Sequence, residues 1–445
     1  MAHNIIRIVV VVVGLITSLG AQNSMPVGPT CVKPSSGKGC LPLAPTNTRI
    51  DLIKPSFSNP TSITNALHPS STISQVIYGG QVDGKPWRTE FTALAIDKTI
   101  EWDGTPIKVV SWQYLAFSGG RIDEVAIDWF AQADDGAVWY FGEDVFNYVD
   151  GVVADTDGTW IAGKNRPPGM IMPGHPKVGD AYRPENIPES VFEEVIVKKI
   201  NQTVAGPSGP IAGALIVSEL HLDGKSEEKV FAPGYGEFST GSATGDFEQA
   251  SFVVPADART RSLPAAPAAL VNLSSAVRHT FDALGKSDWS GAAAAVTALK
   301  PTWASYRAGR VPETLARQMS RDIAAIDTAV TSRKSADARH AALRIAQNDL
   351  DLRLQHEPLL TIERARVELW VRQTLVDAAA KDVGSVLGDV TTLEWTWRRI
   401  RGTINREVAA RIDAQLKDLR QAADAKDLAV VAKTGSALLA TLAAQ

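Results

Sequence analysis

The sequence predicts an α+β multidomain protein in which an antiparallel β meander, folded as a curved sheet or partial barrel, precedes an all-α bundle of duplicated helical hairpins. Three observations predict this fold class. Residues 74–239 alternate short β-branched and aromatic stretches with Asp-Gly turns, the composition changes sharply near Pro255, and the later residues repeat apolar side chains at spacings of three and four.

The first residues of the chain are typical of an export signal. One Arg precedes an apolar run over residues 8–16, which is too short to span a bilayer, and small residues follow at 18–21. Gln22 stands where a lipoprotein would need its lipidated cysteine. We therefore expect a signal peptide over residues 1–21 and an exported, soluble chain, periplasmic or extracellular, with neither a lipid anchor nor a transmembrane span. An uncleaved signal anchor is the alternative.

The next segment contains the two cysteines of the chain, Cys31 and Cys40. In an oxidising compartment a pair across a short Pro, Gly and Ser loop favours a disulfide, because two thiolates alone would leave a zinc ion half-coordinated. We expect this bridge to staple a leader segment over residues 22–73 and to contribute little to the core.

A β domain is predicted over residues 74–254. Asp-Gly pairs punctuate it at 83–84, 103–104, 135–136, 150–151, 157–158 and 223–224. Such tight turns join neighbouring antiparallel strands, whereas parallel strands need longer crossover connections. Residues 162–185 contain so many Pro and Gly residues that we expect an irregular insertion there.

A linker over residues 255–267 leads to a helical bundle over residues 268–445, which contains an internal repeat. Residues 287–303 and 381–397 align at a constant offset of 94 and share an acidic residue suited to capping a helix, followed by apolar residues of one helix face. The aligned pairs are Asp288 with Asp382, Val296 with Val390, Leu299 with Leu393 and Trp303 with Trp397, and after a one-residue slip Ile323 with Leu416 and Ile326 with Leu419. If the linker separates two independent cores, the helical half should fold alone.

The charges exclude a nucleic-acid-binding surface. The residues from 268 onward carry 25 Lys and Arg against 20 Asp and Glu, while the whole chain carries 45 against 49, so the preceding part is acidic. No basic stripe accompanies this division. We expect the dense charges of residues 351–368 and 397–401 to form solvated helix faces.

Common catalytic and cofactor motifs are absent from the sequence. It contains no G-x-S-x-G, no complete phosphate-binding loop, no H-E-x-x-H and no C-x-x-C-H. No cofactor is recognised, and a binding or interaction protein with an unknown ligand or protein partner is favoured over an enzyme.

Two Asp-Gly turns are candidate calcium sites. If both lie at the same end of the sheet, their carboxylates could share one ion, although ordinary turn formation explains them equally well. The candidate ligands are Asp134, Asp135, Asp155 and Asp157.

The stretch WFAQADDGAVWYFGEDV over residues 129–145 is the candidate ligand site. Strand periodicity places aromatic side chains on both faces, so both faces should be covered, by the sheet interior, the helices or a ligand. The candidates are Trp129, Trp139, Tyr140, Glu143 and, in the irregular insertion, His175. Two alternatives remain: a carboxylate-dependent hydrolase using Asp128, Glu143, Asp144 and His175, and a periplasmic carrier of an apolar ligand.

This stretch, with GMIMPGHPKVGDAYR and FAPGYGEF further along, resembles a group of uncharacterised secreted bacterial proteins that share the pattern YAQD-x-x-G-VWYFGE. The resemblance covers residues 109–240 and implies no function that could be transferred. The pattern of that group has an extra small residue where His175 stands, which weakens His175 as a shared catalytic group.

Overall fold

A computed structural model describes residues 24–163, 166–188, 190–242, 245–259 and 263–444. Within them an antiparallel sheet precedes a set of α-helices, which confirms the predicted fold class. The predicted signal peptide lies outside the described residues. None of the described helices is both long and apolar enough to cross a membrane.

The described part of the sheet has fourteen strands. They are β1 Ile73–Val82, β2 Lys85–Trp102, β3 Thr105–Ser118, β4 Arg121–Gln132, β5 Val138–Val149, β6 Val152–Asp155, β7 Trp160–Ile161, β8 Gly169–Met172, β9 Ala181–Ile187, β10 Val191–Gly206, β11 Gly209–His221, β12 Ser226–Ala232, β13 Gly236–Ser242 and β14 Phe247–Pro255.

The strands form a meander in which Asp-Gly turns connect several of the neighbouring strands. The order is β6-β5-β4-β3-β2-β1-β14-β13-β12-β11-β10-β9, and β6, β7 and β8 all pair with β5. Asp83 and Gly84 have φ values of 50° and 70°, the left-handed conformation that two-residue hairpin turns require. The predicted irregular insertion at 162–185 is wrong in part, since it contains β8 and the start of β9 and both pair in the sheet.

The sheet curls until its two ends meet. Strand β8, which pairs with β5 at one end, packs against β9 at the other. The indole Nε1 of Trp160 in β7 donates a hydrogen bond to Glu185 Oε1 in β9 at 2.8 Å. The curl gives the sheet an inner face that encloses a cavity and an outer face on which the helices pack.

The leader segment closes one end of the curled sheet. A disulfide joins Cys31 to Cys40, as predicted. The leader contributes to the core, since Ile63 is fully buried among the inner side chains. The Nδ2 of Asn65 donates to the carbonyl oxygens of Gly136 and Pro173, both at 3.0 Å, which fixes the leader to the β4–β5 turn.

Eight helices are described, and they form two groups of four. They are α1 Ala268–Gly285, α2 Trp289–Arg307, α3 Glu313–Thr331, α4 Ser335–Arg353, α5 Leu359–Ala380, α6 Val383–Ile400, α7 Arg406–Asp424 and α8 Leu428–Ala443. In each group consecutive helices pack together and the fourth returns to the first, while α4 and α5 join the groups.

The aligned residues of the internal repeat occupy equivalent positions in the two groups. Asp288 and Asp382 each cap a helix, accepting hydrogen bonds from Gly291 N and Ser385 N at 2.8 and 3.0 Å. All the aligned apolar side chains are buried. The repeat therefore extends beyond the hairpins α2–α3 and α6–α7, because α1 and α4 correspond in order and packing to α5 and α8.

A balanced six-charge network fills the interface between the outer face of the sheet and the helices. Arg366 Nη2 and Arg88 Nη2 lie 2.7 and 2.8 Å from Asp351 Oδ1, and Arg399 Nη1 lies 3.3 Å from Glu363 Oε2. Each member's side chain is at most 8% exposed. The members are Arg88, Glu90, Asp351, Glu363, Arg366 and Arg399.

This network corrects the expectation for residues 351–368 and 397–401. Those charges were predicted to lie on solvated helix faces, but Asp351, Glu363, Arg366 and Arg399 are buried. Helical periodicity alone cannot reveal that a charged face packs on a sheet whose own Arg88 and Glu90 complete the ion pairs.

Candidate functional site

A cavity of about 270 Å³ lies on the inner face of the curled sheet. Residues of the leader and of strands from both ends of the meander line it. Tyr235 and Glu237 are only half-buried, so solvent reaches the cavity from their side. We call it the inner cavity, and its polar lining consists of His68, Ser70, Tyr78, Tyr114, Asp128, Tyr140, Glu143, Glu185, Glu193, Lys229, Tyr235, Glu237 and Glu248.

Local backbone geometry brings three acidic side chains together in this cavity. Asp128 and Glu143 are direct partners across β4 and β5, so their side chains lie on the same face. Gly142 has a φ of 116°, and a Cβ there would lie 2.2 Å from the carbonyl oxygen of Trp160. Only glycine lets β7 approach β5 so closely, and this approach brings Trp160 to its hydrogen bond with Glu185.

Hydrogen bonds link two of these carboxyls to aromatic side chains. The Tyr140 hydroxyl donates to Asp128 Oδ1 at 2.8 Å. Glu143 and Glu185 approach each other across the gap between the two ends of the sheet, and the proximity of Glu185 helps to raise the pKa of Glu143.

Burial keeps four carboxyls of the cavity protonated at unusually high pH. It raises the pKa of Asp128 to about 7, against the opposing hydrogen bond from Tyr140. It also raises the pKa of Glu185 to about 8 and that of Glu248 to about 7. Burial and the nearby Asp128 raise the pKa of Glu143 well above its usual range. Each ionised form lacks the water that would stabilise it.

No Lys, Arg or His lies within ion-pair distance of these four carboxyls in the part of the chain that the structure describes. The cavity lining does include Lys229, but its Nζ lies 2.5 Å from Glu219 Oε2 and 3.5 Å from Glu237 Oε2. His68 also lines the cavity, and burial lowers its pKa to about 4, so the imidazole is neutral. The cavity therefore has an excess of acidic groups.

Aromatic rings form the apolar part of the inner cavity. Phe130 and Tyr140 stack with ring centroids 5.0 Å apart, and Trp160 meets Tyr140 edge-on at 5.4 Å. Phe91 and Phe231 line the same space. Aromatic faces carry a negative electrostatic potential, so they add to the field of the carboxyls.

The structure brings only some of the predicted site residues together. Tyr140 and Glu143 line the inner cavity, as does Asp128 of the predicted hydrolase. Trp129 and Trp139 are buried outside the lining, and Lys98 Nζ lies 3.6 Å from the Trp129 ring centroid. The other two proposed hydrolase residues, Asp144 and His175, are exposed and away from the cavity.

The hypothesis that the two Asp-Gly turns share one calcium ion is wrong. Asp155 pairs with Asn147 near the end of β5, whereas Asp134 and Asp135 precede its first residue. The ten strand residues from Val138 to Asn147 separate the turns by about 30 Å.

Three of the four candidate carboxylates already accept hydrogen bonds that hold their turns. Asp134 accepts from the Ser56 hydroxyl at 2.8 Å and from Ser58 N at 2.8 Å. Asp135 Oδ1 accepts from Ala137 N at 3.0 Å, and Asp155 Oδ1 accepts from Asp157 N at 3.1 Å. These bonds explain the conformation of both turns.

One cluster among the described residues has donors that suit a metal ion. Single ligand atoms of Glu193, Glu219 and His221 all lie within 4.8 Å of one another. Burial opposes a charge on His221, but the carboxylates of Glu193 and Glu227, 3.3 and 3.6 Å from its ring nitrogens, outweigh it and raise its pKa to about 10. With Lys229 already against Glu219, the cluster is complete as an ion-pair network and does not require a metal.

Sequence reasoning missed Glu185 and Glu248. They lie on β9 and β14, 42 and 105 residues after Glu143 in the chain, and only the curl of the sheet brings them to the same cavity. The available signal was weak, because an inward-facing acidic residue in a strand looks the same as a solvated one.

Comparison with known proteins gives no match, neither to a protein-family model nor to a curated protein. The function is therefore inferred from the geometry of the site.

Proposed function

We propose that this protein binds a small organic cation in the inner cavity. The observation that carries this proposal is a group of four carboxyls, Asp128 and Glu185 buried and Glu143 and Glu248 half-buried, that have no cationic partner among the described residues. A bound ammonium group would supply the missing countercharge, and the aromatic rings would contact its apolar body.

The acidic lining favours a cation over the wholly apolar ligand considered from the sequence. An apolar ligand would leave the carboxyls desolvated without a new partner, which costs free energy. The size of the cavity favours a small ligand, since small-molecule sites begin at roughly 300 Å³.

We propose further that the protein acts outside the cytoplasm. The apolar N-terminal sequence supports export, and the Cys31–Cys40 disulfide fits an oxidising compartment.

Calorimetric titration of the protein with benzylammonium tests the proposal, with benzyl alcohol as the uncharged analogue of the same shape. We expect benzylammonium to bind at pH 8 and the alcohol to bind at least tenfold more weakly. Asp128→Asn and Glu143→Gln should each weaken binding of the amine. Glu101→Gln is the matched control, because Glu101 lies exposed on β2. Equal binding of the alcohol and the amine would contradict the proposal.

A second candidate function is that of a carboxylate-dependent hydrolase. The observation that favours it is the cross-strand pair of Asp128 and Glu143, because a carboxyl whose pKa is about 7 can act as a general acid at neutral pH. Its test is a panel of chromogenic esters and glycosides. Hydrolysis that Asp128→Asn abolishes would support it, and equal rates for the two proteins would exclude it.

A further inference from the structure

A second cavity, of about 320 Å³, lies between the outer face of the sheet at β2 and β3 and helices of both groups. Its walls are the start of β2, the β3–β4 turn at Gly119 and Gly120, and the facing surfaces of α3, α4 and α5. We call it the lateral cavity. It is separate from the inner cavity, since the two have no lining residue in common.

The lateral cavity has a flat apolar wall. Phe117 of β3 and Trp370 of α5 stack with ring centroids 5.3 Å apart and planes inclined by 14°. Ala325, Leu343 and Leu369 extend this surface. A planar apolar group fits such a wall better than a flexible polar one.

The polar groups of the lateral cavity have the opposite charge to those of the inner cavity. Asp322 is neutralised, because Arg344 Nε donates to its Oδ1 at 3.0 Å and Asn348 Nδ2 donates to its Oδ2 at 2.9 Å. Arg321 on the same wall is exposed and forms no ion pair with any residue that the structure describes. The cavity therefore offers a free guanidinium to a ligand.

A buried acceptor in this cavity has no donor. Gln347 Nε2 donates to Asp351 Oδ1 at 3.0 Å, which fixes the orientation of the amide because a carboxylate only accepts. Its Oε1 is buried without a hydrogen-bond partner. A buried acceptor left unpaired costs free energy, so a ligand with an N–H or O–H donor would gain by filling the position.

From these three features we infer that the lateral cavity binds a small planar organic anion that also carries a hydrogen-bond donor, chemically a hydroxyaryl carboxylate. The aromatic pair contacts its ring, Arg321 pairs with its carboxylate, and Gln347 Oε1 accepts from its hydroxyl. This site is independent of the proposed cation site.

Titration of the full chain with 6-hydroxy-2-naphthoate tests this inference. We expect binding that Arg321→Gln weakens about five- to tenfold, since a charge-assisted hydrogen bond is lost. Ala325→Phe should abolish binding by filling the cavity. Arg411→Gln should leave binding unchanged, because Arg411 is an exposed arginine of α7 far from the lining. 2-Naphthoate, which lacks the hydroxyl, should bind several-fold more weakly.

Two outcomes would overturn the inference: no binding of 6-hydroxy-2-naphthoate to the unaltered protein, or equal binding to the Arg321→Gln protein. Thermal melts establish whether Ala325→Phe folds, and if it does not, Arg321→Gln and the two naphthoates still decide the result. Benzylammonium binding is measured on the same variants. Because the sites are separate, it should not change, so failure of one proposal is distinguishable from failure of the other.

Discussion

The carboxyls that line the inner cavity explain why a cation would bind there. Each loses water on folding and gains only neutral hydrogen-bond partners, such as Tyr140 for Asp128 and Trp160 for Glu185. Ionising these carboxyls therefore costs free energy whenever the cavity contains no positive charge.

The first prediction concerns Glu185 and pH. Its pKa rises on folding from 4.5 to about 8, so between these values the folded state binds more protons than the unfolded state. Stability from this residue is therefore lost progressively as pH rises from 4.5 to 8, and the full cost is present above pH 8. Glu185→Gln should leave the free energy of unfolding unchanged below pH 4.5 and raise it by about 1–3 kcal/mol above pH 8.

Urea denaturation across this pH range measures the effect, with Glu101→Gln as the control at an exposed site. A Glu185→Gln protein whose stability follows the unaltered protein at every pH would show that Glu185 is not protonated on folding.

The second prediction concerns Arg366, whose side chain is fully buried in the six-charge network. Arg366→Met should lower the free energy of unfolding by about 3–5 kcal/mol, because it leaves Asp351 and Glu363 buried with fewer countercharges. Urea denaturation at neutral pH measures this, and Arg411→Gln should change stability by less than about 0.5 kcal/mol. If Arg366→Met lowers the free energy of unfolding by less than about 1 kcal/mol, water or a rearrangement of the neighbouring side chains compensates for the missing guanidinium.

The secondary-structure elements could be predicted from the sequence better than the tertiary packing or the site. Asp-Gly pairs such as Asp83-Gly84 mark hairpin turns because their backbone conformation is local, and the aligned capping residues Asp288 and Asp382 mark helix starts for the same reason. The insertion at 162–185 was misjudged because β8 is stabilised by pairing with β5, a distant partner that local composition does not reveal.

The third prediction concerns the repeated helix caps. Asp288→Ala and Asp382→Ala should each lower the free energy of unfolding by about 1 kcal/mol. The two losses should be similar, because both side chains accept a hydrogen bond from the backbone N–H three residues later. Thermal or urea denaturation measures both. Asp418→Ala is the control, since Asp418 lies exposed within α7. Losses that match the control would show that neither cap contributes.

At the scale of the whole molecule, the two halves share a core. Leu115 and Phe117 of the sheet are buried among side chains of α5 and α6, and Ile77 and Phe252 among those of the first helix group. The sequence could not reveal this, because a composition change at Pro255 looks the same whether or not the halves later pack together. The curl of the sheet, which brings Asp128, Glu185 and Glu248 together, could not be predicted either, because it depends on contacts between residues far apart in the sequence.

The fourth prediction follows from the shared core. A fragment of residues 268–444 would expose its apolar sheet-facing surface and leave Asp351 and Arg399 without Arg88 and Glu90. We now expect it to be helical by circular dichroism but to melt without a sharp transition, whereas the full chain melts cooperatively. A sharp transition of the fragment would show that the helical half is an independent unit.

Measuring proton release on binding is the sharpest test of cation binding in the inner cavity. If a bound ammonium replaces protons held by the carboxyls of the inner cavity, whose pKa values are about 7 at Asp128 and Glu248 and about 8 at Glu185, binding must release protons below pH 7. Calorimetric titration with benzylammonium, in two buffers of different ionisation enthalpy at several pH values, measures that release. We expect the affinity for benzylammonium to rise with pH, by close to tenfold per pH unit below pH 7. Each ligand bound should release up to about one proton. An affinity that does not change with pH, and heats that do not depend on the buffer, would contradict cation binding at these carboxyls.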